Sequence, residues 1–327
     1  MKVVKWGVLS TARIGVEHVI PAIRAIPGCE VSAIASRDGR RAEQAAADLA
    51  IPRAFGSYEE LLDDDTIDCV YIPLPNALHA DWAVRALERG RAVLVEKPLA
   101  CGGDDARRMA EAAERSGALL AEAFMYRYHE QFKRVLRYVE DGTLGRVRVV
   151  RGAINFRLDD GPDIRLRGEL GGGALLDVGC YPLDAMCLLF GSAPTRVQAT
   201  GTRRGDVDGM CAGLLEFEGG GIGLVDCNFE LPWLQAPLEV VGEHGTVRLE
   251  NAYNPGTGDC RGTLLVEGRE PENFVVPGMN MYGALVSSFA DSVRTGSRPE
   301  YSVEASLATA HAIDLMRGAL PLTAGAS

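Results

Sequence analysis

The sequence predicts an α/β protein in two parts: a doubly wound parallel sheet over residues 1–123, then an α+β part over 124–327 with a large, mostly antiparallel open sheet. Three observations carry this. At 327 residues the chain is long for one domain. Through the first part, short apolar runs alternate with longer stretches of helical period, the grammar of βαβ units with right-handed crossovers. Past Gly145 that alternation gives way to consecutive β-type runs, with turn signals at Gly219-Gly220-Gly221 and Glu243-His244-Gly245.

Taken in order, residues 3–9 read as a buried strand, 14–26 as a helix, 29–35 as a second strand and 39–49 as an Ala-rich helix. Further strands are expected at 69–72, 92–95 and 118–121, with helices at 77–89 and 104–116. In the second part, 147–156, 196–201, 211–217, 222–229, 238–241 and 246–249 read as strands, and 172–189 as one helical segment. Residues 282–293 and 303–316 are helical again, and the C-terminal helix is expected to pack back on the first domain. The two domains are expected to share an interface, where ligand clefts commonly form.

Composition excludes several function classes. A formal charge of -11 argues against nucleic acid, whose phosphates need a basic partner surface. No apolar run is long enough to predict a membrane span. The N-terminus runs straight into a strand without the apolar core of a signal peptide, so a cytoplasmic location is expected. The eight cysteines and five histidines are scattered without metal-ligand spacing, which predicts reduced thiols and no metal.

The candidate chemistry lies at strand ends. The first strand runs out through Ser10-Thr11-Ala12-Arg13-Ile14-Gly15. A dinucleotide fingerprint needs small residues at the turn, at the approach to pyrophosphate and at the helix–strand contact. Ser10, Ala12 and Gly15 occupy those places, so two of three glycines are replaced; the helix N-terminus still presents N–H groups to phosphate. The second strand ends on Ser36-Arg37, with no carboxylate there for a ribose 2′-hydroxyl. Arg37 suits a 2′-phosphate, which predicts NADP rather than NAD; the bland alternative is a solvated surface arginine. In Pro73-Leu74-Pro75-Asn76, a rigid loop, Asn76 can cap the following helix or contact a ligand, and His79 fits a structural role in that helix's first turn. Glu96-Lys97-Pro98 then puts a lysine at the end of an apolar strand, where open α/β sheets bind ligands. Farther on, Gly171-Gly172-Gly173 leads into a segment in which Asp177 and Tyr181, spaced i, i+4, share one helical face. An acid and a phenol among Leu176, Val178 and Leu183 are awkward core residues unless they serve something polar.

With WGVLSTARIG, YIPLPNALHADWAVRALERGRAVLVEKPL, EAFMYRYH and GGGALLDVGCYPLD in that order, the chain resembles the glucose–fructose oxidoreductase / inositol dehydrogenase (Gfo/Idh/MocA) family over nearly its whole length. Its S-T-A-x-I turn is similar to that of the NADP-linked D-xylose and dihydrodiol dehydrogenase branch. The resemblance implies an N-terminal Rossmann domain and an NADP-dependent enzyme moving hydride to or from a sugar-like substrate. It implies Tyr181 as acid/base, with Lys97 beside it and Asp177 holding a substrate hydroxyl, and a cis Lys97–Pro98 bond. NADP would be held by Ser10, Thr11, Ala12, Arg13, Ile14, Ser36, Arg37, Pro73, Leu74, Asn76, His79, Glu96 and Lys97. Arg127, between Tyr126 and Tyr128, is expected on the substrate side with Phe156, Arg157 and Arg165. Trp233 is expected on a strand-to-strand loop, exposed or in a dimer contact. Relatives often pair through the second sheet, which implies a homodimer or homotetramer. The alternatives are a nucleotide-ketosugar reductase of deoxysugar biosynthesis and a non-catalytic NADP-binding regulator.

Overall fold

The structure is a computed structural model that describes residues 2–324. By their contacts these fall into two units, 2–100 with 104–125 and 280–303, and 101–103 with 126–279 and 304–324.

The first unit is built on six parallel strands in the order β3-β2-β1-β4-β5-β6. They are β1 (Val4–Leu9), β2 (Cys29–Ala35), β3 (Arg53–Phe55), β4 (Cys69–Ile72), β5 (Ala92–Val95) and β6 (Leu120–Glu122). β1 lies between β2 and β4, and its Trp6, Val8 and Leu9 have no exposed surface. The strand order reverses between β1 and β4, so their C-terminal ends open a crevice of the kind that receives dinucleotides. Helices α1 (Ile20–Ala25), α2 (Gly39–Asp48), α3 (Tyr58–Leu62), α4 (His79–Glu88) and α5 (Gly103–Ser116) connect the strands. Capping defines their starts: Asp38 accepts from the Arg40 and Arg41 N–H groups at α2, and Ser57 from Glu60 at α3. Strand β6 begins two residues later than expected, because Gly117 turns the chain with φ +69°.

The second unit is a ten-stranded sheet. After α6 (Glu130–Glu140), its strands are β7 (Val147–Arg157), β8 (Arg196–Arg204), β9 (Val207–Phe217), β10 (Gly221–Asn228), β11 (Glu230–Gln235), β12 (Leu238–Gly242), β13 (Gly245–Leu249), β14 (Cys260–Val266), β15 (Glu272–Val276) and β16 (Leu322–Ala324). The order is β15-β14-β13-β12-β7-β10-β9-β8-β16, with β11 also on β7. Only β7–β10 and β8–β16 are parallel among the described pairs, so the sheet is mixed and mostly antiparallel. Trp233 lies on β11 and not on a loop; it is 72% exposed. That strand pairs with β7 at Glu230–Arg157 and Gln235–Asn155, the register shifting between them, where Pro232 has no N–H to give to a ladder.

Between β7 and β8 runs α7 (Cys180–Phe190), entered through a π-helical turn at Leu175–Gly179. The three glycines stand outside the helix, which corrects the expected 172–189 span. Gly173 holds φ +111°, and a Cβ on Gly172 would lie 2.5 Å from the Arg165 carbonyl oxygen. α7 is apolar on nearly every side because it is buried in its own unit, against β7. At the contact, a Cβ on Gly152 would come within 2.8 Å of Pro182 Cβ. Of the two C-terminal helices, α8 (Met281–Thr295) packs on the first unit, with Phe289 5.7 Å from the Trp6 ring and Arg294 donating to the Pro27 carbonyl at 3.0 Å. α9 (Val303–Ala319) belongs almost wholly to the second.

One polar cluster pins α7. The Asp184 carboxylate has no exposed surface and accepts from Arg127 Nε at 2.9 Å, from a second Arg127 nitrogen, from the Tyr126 hydroxyl and from Thr309 Oγ1 at 2.8 Å. Removing one partner of a buried ion pair strands the other charge, at about 3–5 kcal/mol. Asp184→Asn is therefore expected to lower unfolding free energy by about that amount in a urea titration at neutral pH. An unchanged midpoint would show that the carboxylate does not pin the helix.

Candidate active site

In the first unit, the ends of β1, β2, β4 and β5 carry the predicted cofactor residues. Ser10 takes the place of the first fingerprint glycine and keeps a glycine-like backbone, φ +135°. Such a conformation costs a non-glycine residue about 1–3 kcal/mol and collects at functional sites. Its Oγ accepts from the Ala12 N–H at 3.0 Å, which closes the turn from inside. Residues Thr11, Ala12 and Ile14 are partly exposed, and Arg13 points outward, 3.9 Å from Glu17. The following helix opens with a π turn, Gly15–Val19, where α-helix was expected. A Cβ on Gly15 would touch Pro73 and Tyr71 at 3.4 Å, so the third small position allows close approach of β4's end.

At the end of β2, Ser36 is buried and its Oγ accepts from the Asp38 N–H at 3.2 Å. Arg37 projects outward against the hydroxyl of Tyr58, whose ring sits edge-on to Trp82 at 4.8 Å. Sequence reasoning missed Arg41, whose guanidinium reaches 3.5 Å from Thr11 Oγ1. It becomes visible only once Asp38 fixes where α2 begins. Asp38 is an acid next to the ribose position, yet its Oδ1 is engaged by the Arg40 and Arg41 N–H groups at 3.0 and 3.3 Å. The donor set here is two guanidiniums with the acid turned to its helix, which fits a 2′-phosphate.

Along β4 and β5, Tyr71 donates to the buried Glu96 carboxylate at 2.6 Å. Burial raises the Glu96 pKa above the usual carboxylate value, opposed by the Tyr71 hydrogen bond and by Lys97. The Lys97–Pro98 bond is cis and Lys97 is half-buried. Asn76 heads a 3-10 turn, Asn76–Leu78, and α4 is capped at Leu78 without a side-chain bond, so the capping reading of Asn76 is corrected. Pro73 and Leu74 are buried. His79 has no exposed surface, its ring nitrogens lying against the Pro98 and Leu74 carbonyl oxygens at 2.9 and 2.8 Å. Tyr282, on the first turn of α8, was also missed: its ring stacks on His18 at 5.1 Å. Burial raises its pKa, as does Glu96, against the opposing charge of Lys97. No signal near position 282 links it to residue 97.

In the second unit, Asp208 accepts from the Leu175 N–H at 2.7 Å and so caps the π turn from another strand. A Cβ on Gly173 would lie 2.2 Å from the same carboxylate, which requires glycine there. On the turn thus fixed, Asp177 Oδ2 stands 3.9 Å from Arg165 Nη1. Arg165 pairs with Asp163 at 2.6 and 2.9 Å and lies 5.7 Å from the Phe156 ring centre. Three expected substrate-side residues therefore meet: Phe156, Arg165 and Asp177. Arg157 is exposed at the end of β7. Arg127 is a correction: at 1% exposure its guanidinium is turned into the Asp184 cluster and not toward the substrate side. Tyr181 is 8% exposed, with the rings of Tyr126 and Tyr253 at 5.9 and 6.0 Å. π-helical turns precede both α1 and α7, and such turns recur at functional sites.

Comparison with known proteins agrees with this geometry. Residues 4–124 match the model of an oxidoreductase family with an NAD-binding Rossmann fold, and 132–248 match the GFO/IDH/MocA C-terminal domain. The chain is 42% identical to D-xylose 1-dehydrogenase (NADP(+)) 2 of Haloferax volcanii, over 94% of this chain and 95% of that one. It is 34% identical to a dTDP-3,4-didehydro-2,6-dideoxy-alpha-D-glucose 3-reductase of Streptomyces violaceoruber, over 90% and 86%. The crystal structure of KijD10, a 3-ketoreductase from Actinomadura kijaniata in complex with NADP and TDP-benzene, superposes with a TM-score of 0.90 at 30% identity, covering 99% of this chain and 100% of that one. With both halves matched, and with a six-stranded parallel sheet followed by a ten-stranded mixed sheet, the chain belongs to the GFO/IDH/MocA oxidoreductase family.

Proposed function

We infer that this protein is an NADP(H)-dependent oxidoreductase that moves hydride between the nicotinamide and a hydroxyl- or carbonyl-bearing carbon of a sugar or related polyol, as an aldose 1-dehydrogenase does. The observation that carries the reading is the carboxylate–phenol pair on one turn, Asp177 and Tyr181, with Asp208 holding that turn from one side and Asp184 holding α7 from the other. Residues 1–123 are taken as the dinucleotide-binding domain and 124–327 as the substrate-binding and association domain. Eight cysteines free of disulfides suit a reducing, cytoplasmic setting.

When bound, the dinucleotide supplies or accepts the hydride. Arg37 and Arg41 would grip its 2′-phosphate, and the N–H groups of 10–14 its pyrophosphate, with Pro73, Leu74 and Asn76 along its path. In the reducing direction, Tyr181 gives its phenolic proton to the substrate oxygen as the carbonyl becomes a hydroxyl; in oxidation it takes that proton back. Lys97 supplies positive charge to the oxygen that carries the transient negative one. Asp177 accepts a hydrogen bond from a neighbouring substrate hydroxyl, with Arg165 and Phe156 beside it. Because Arg165 is already paired with Asp163, this region offers a polyol acceptors and donors more than it offers a phosphate free cations. That favours an unphosphorylated sugar; kinship with 3-reductases makes a nucleotide-linked ketosugar the second reading. A silent regulator has no use for the proton-transfer set, and hydride transfer to any of a panel of aldoses, keto-sugars and dihydrodiols excludes it.

The open face of the large sheet carries a depression of about 830 Å³ lined by Ala212, Leu214, Leu224, Val225 and Leu238, rimmed by the Arg151–Glu239–Arg248 ion pairs. We assign this face to self-association as a homodimer or homotetramer. Light scattering is expected to give a multiple of 35.0 kDa, and Leu224→Asp to shift it toward the single-chain mass; a parent protein of single-chain mass at micromolar concentration overturns the assignment.

Two further outcomes test the chemistry. Arg37→Ala is expected to raise the KM for NADPH about 10–100-fold, the worth of a charge-assisted hydrogen bond, and to leave that for NADH within about twofold; equal effects on both remove the 2′-phosphate assignment. Tyr181→Phe should lower kcat by ~10²–10⁴-fold with the fold intact by circular dichroism, and near-full turnover would sink the acid/base assignment.

A further inference from the structure

Residues 158–174 carry the chain from β7 to the π turn before α7. They hold neither strand nor α-helix, only the 3-10 turns Ile164–Leu166 and Gly168–Leu170. A connection of that length without regular structure is uncommon in a compact domain and is usually functional. This one carries Arg165, which stands 3.9 Å from Asp177. Such a segment relies on partners from elsewhere for part of its backbone, and one short hairpin supplies them. β8 and β9 turn through Gly205-Asp206, with Gly205 at φ +66° and Arg204 paired to Val207. Arg204 donates to the Leu158 carbonyl at 2.6 Å, to the Phe229 carbonyl at 3.2 Å and to Asp160 Oδ1 at 2.7 Å. Asp206 Oδ2 accepts from the Gly168 N–H at 3.0 Å, and Asp208 Oδ2 from the Leu175 N–H. Side chains 204, 206 and 208 thus hold the start, the middle and the end of one connection. Asp160 is 97% exposed, so its ion pair adds little, and the two carbonyls on one planar guanidinium carry the hold. The Phe229 carbonyl also accepts from the Leu158 N–H at 2.9 Å, and the Phe229 N–H donates to the Gly209 carbonyl at 3.0 Å. The hairpin therefore also sets the Phe229 ring, 5.4 Å from that of Phe156.

We propose that the β8–β9 hairpin positions the sugar-binding side of the site: through Arg204 and Asp206 it sets where residues 158–174, and the Arg165 they carry, stand beside Asp177, without touching sugar or cofactor. This rests on the substrate side assigned above to Arg165 and Asp177. Asp206 is exposed at the tip of the turn, so its side chain adds nothing to the core, and what it fixes is the connection. The NADP contacts assigned to 10–14 and 36–37 belong to the first unit, so sugar affinity and cofactor affinity respond differently to loss of the hairpin's side chains.

The test compares Arg204→Ala, Arg204→Lys and Asp206→Ala, with Arg165→Ala as reference. Arg196→Ala, on the same strand and facing Glu216 at 3.4 Å, is the control. Each is assayed for kcat and sugar KM on the best substrate of the panel, for NADPH binding by fluorescence titration, and for amide hydrogen exchange over 158–175 by mass spectrometry. Arg204→Ala is expected to raise the sugar KM about tenfold or more, with kcat within about threefold and NADPH Kd within about twofold of the parent. Exchange over 158–175 becomes faster in the same variant. Arg204→Lys recovers part of the loss, and Arg196→Ala matches the parent. If Arg204→Ala does not fold, Asp206→Ala carries the test, with a rise in sugar KM of about threefold or more and the same unchanged kcat and Kd. Parental sugar KM in the folded hairpin variants while Arg165→Ala is impaired overturns the proposal and leaves the function standing. Exchange over 158–175 as slow as in the parent, or NADPH affinity lost in proportion to sugar KM, also overturns it. Arg165→Ala with parental KM strikes at the substrate side itself and takes the proposal with it, and a parent that turns over no member of the panel overturns function and proposal together.

Discussion

The second unit depends on a charge that has no access to water. Asp184 has no exposed surface, and its two oxygens are served by Arg127, Tyr126 and Thr309, from two separate stretches of chain. Burying a carboxylate carries a desolvation penalty of several kcal/mol, which only a full set of well-placed donors offsets. Such a set has one geometry. It fixes the roll and depth of α7 against β7, where Gly152 has already removed the side chain that would hold the helix away. Tyr181 stands one turn before Asp184, so the same donors that satisfy the buried charge also orient the phenol. Tyr126 takes part twice, donating to Asp184 while its ring packs against Tyr181 and Tyr253. Asp208 completes the arrangement from the other end by capping the turn that carries Asp177.

In the first unit the ruling constraint is backbone supply. Ser10 accepts a strained conformation that glycine would adopt freely, and its hydroxyl compensates by closing the turn onto Ala12. Proline at 73, 75 and 98 stiffens the two loops beyond β4 and β5 but removes the N–H groups that would tie them together. Buried side chains replace those ties. Glu96 receives Tyr71, Glu122 receives the Leu99 N–H, and His79 lies against two carbonyls and donates to one. Each substitute is a titratable group, so loop geometry and local charge are set by the same few atoms.

The parts legible in the sequence were those written in local period and punctuation. Apolar runs at β1, β4 and β5, and the capped Ala-rich α2, announce themselves within a dozen residues. Strands β11, β14 and β15 escaped because their residues alternate with glycine, arginine and glutamate, and because a strand that pairs at two places, like β11, leaves little periodic trace. Arg127 was misread for a related reason. An arginine flanked by aromatics looks like pocket lining, and the acid that claims it lies 57 positions away on another helix. Tyr253 and Tyr282 were invisible for the same cause: each matters through neighbours brought near only by the fold. Asp177 and Tyr181 were legible because acid and phenol stand one turn apart among Leu176, Val178 and Leu183.

The choice of dinucleotide shows how far a residue count falls short of geometry. An aspartate does follow β2, at position 38, and by identity alone it would argue for the ribose 2′-hydroxyl of NAD. Its carboxylate instead receives two N–H groups of α2, while Ser36 accepts the Asp38 N–H from the opposite side. A capping bond of this kind contributes about 1 kcal/mol to the helix, and that would be forgone if the side chain turned outward. The cap also starts α2 where Arg41 comes over Thr11, and it leaves Arg37 projecting against Tyr58. One hydrogen-bonding choice at residue 38 thus withdraws the negative group and aligns two positive ones. The positive character of this strand end follows from where the helix begins as much as from which residues are present.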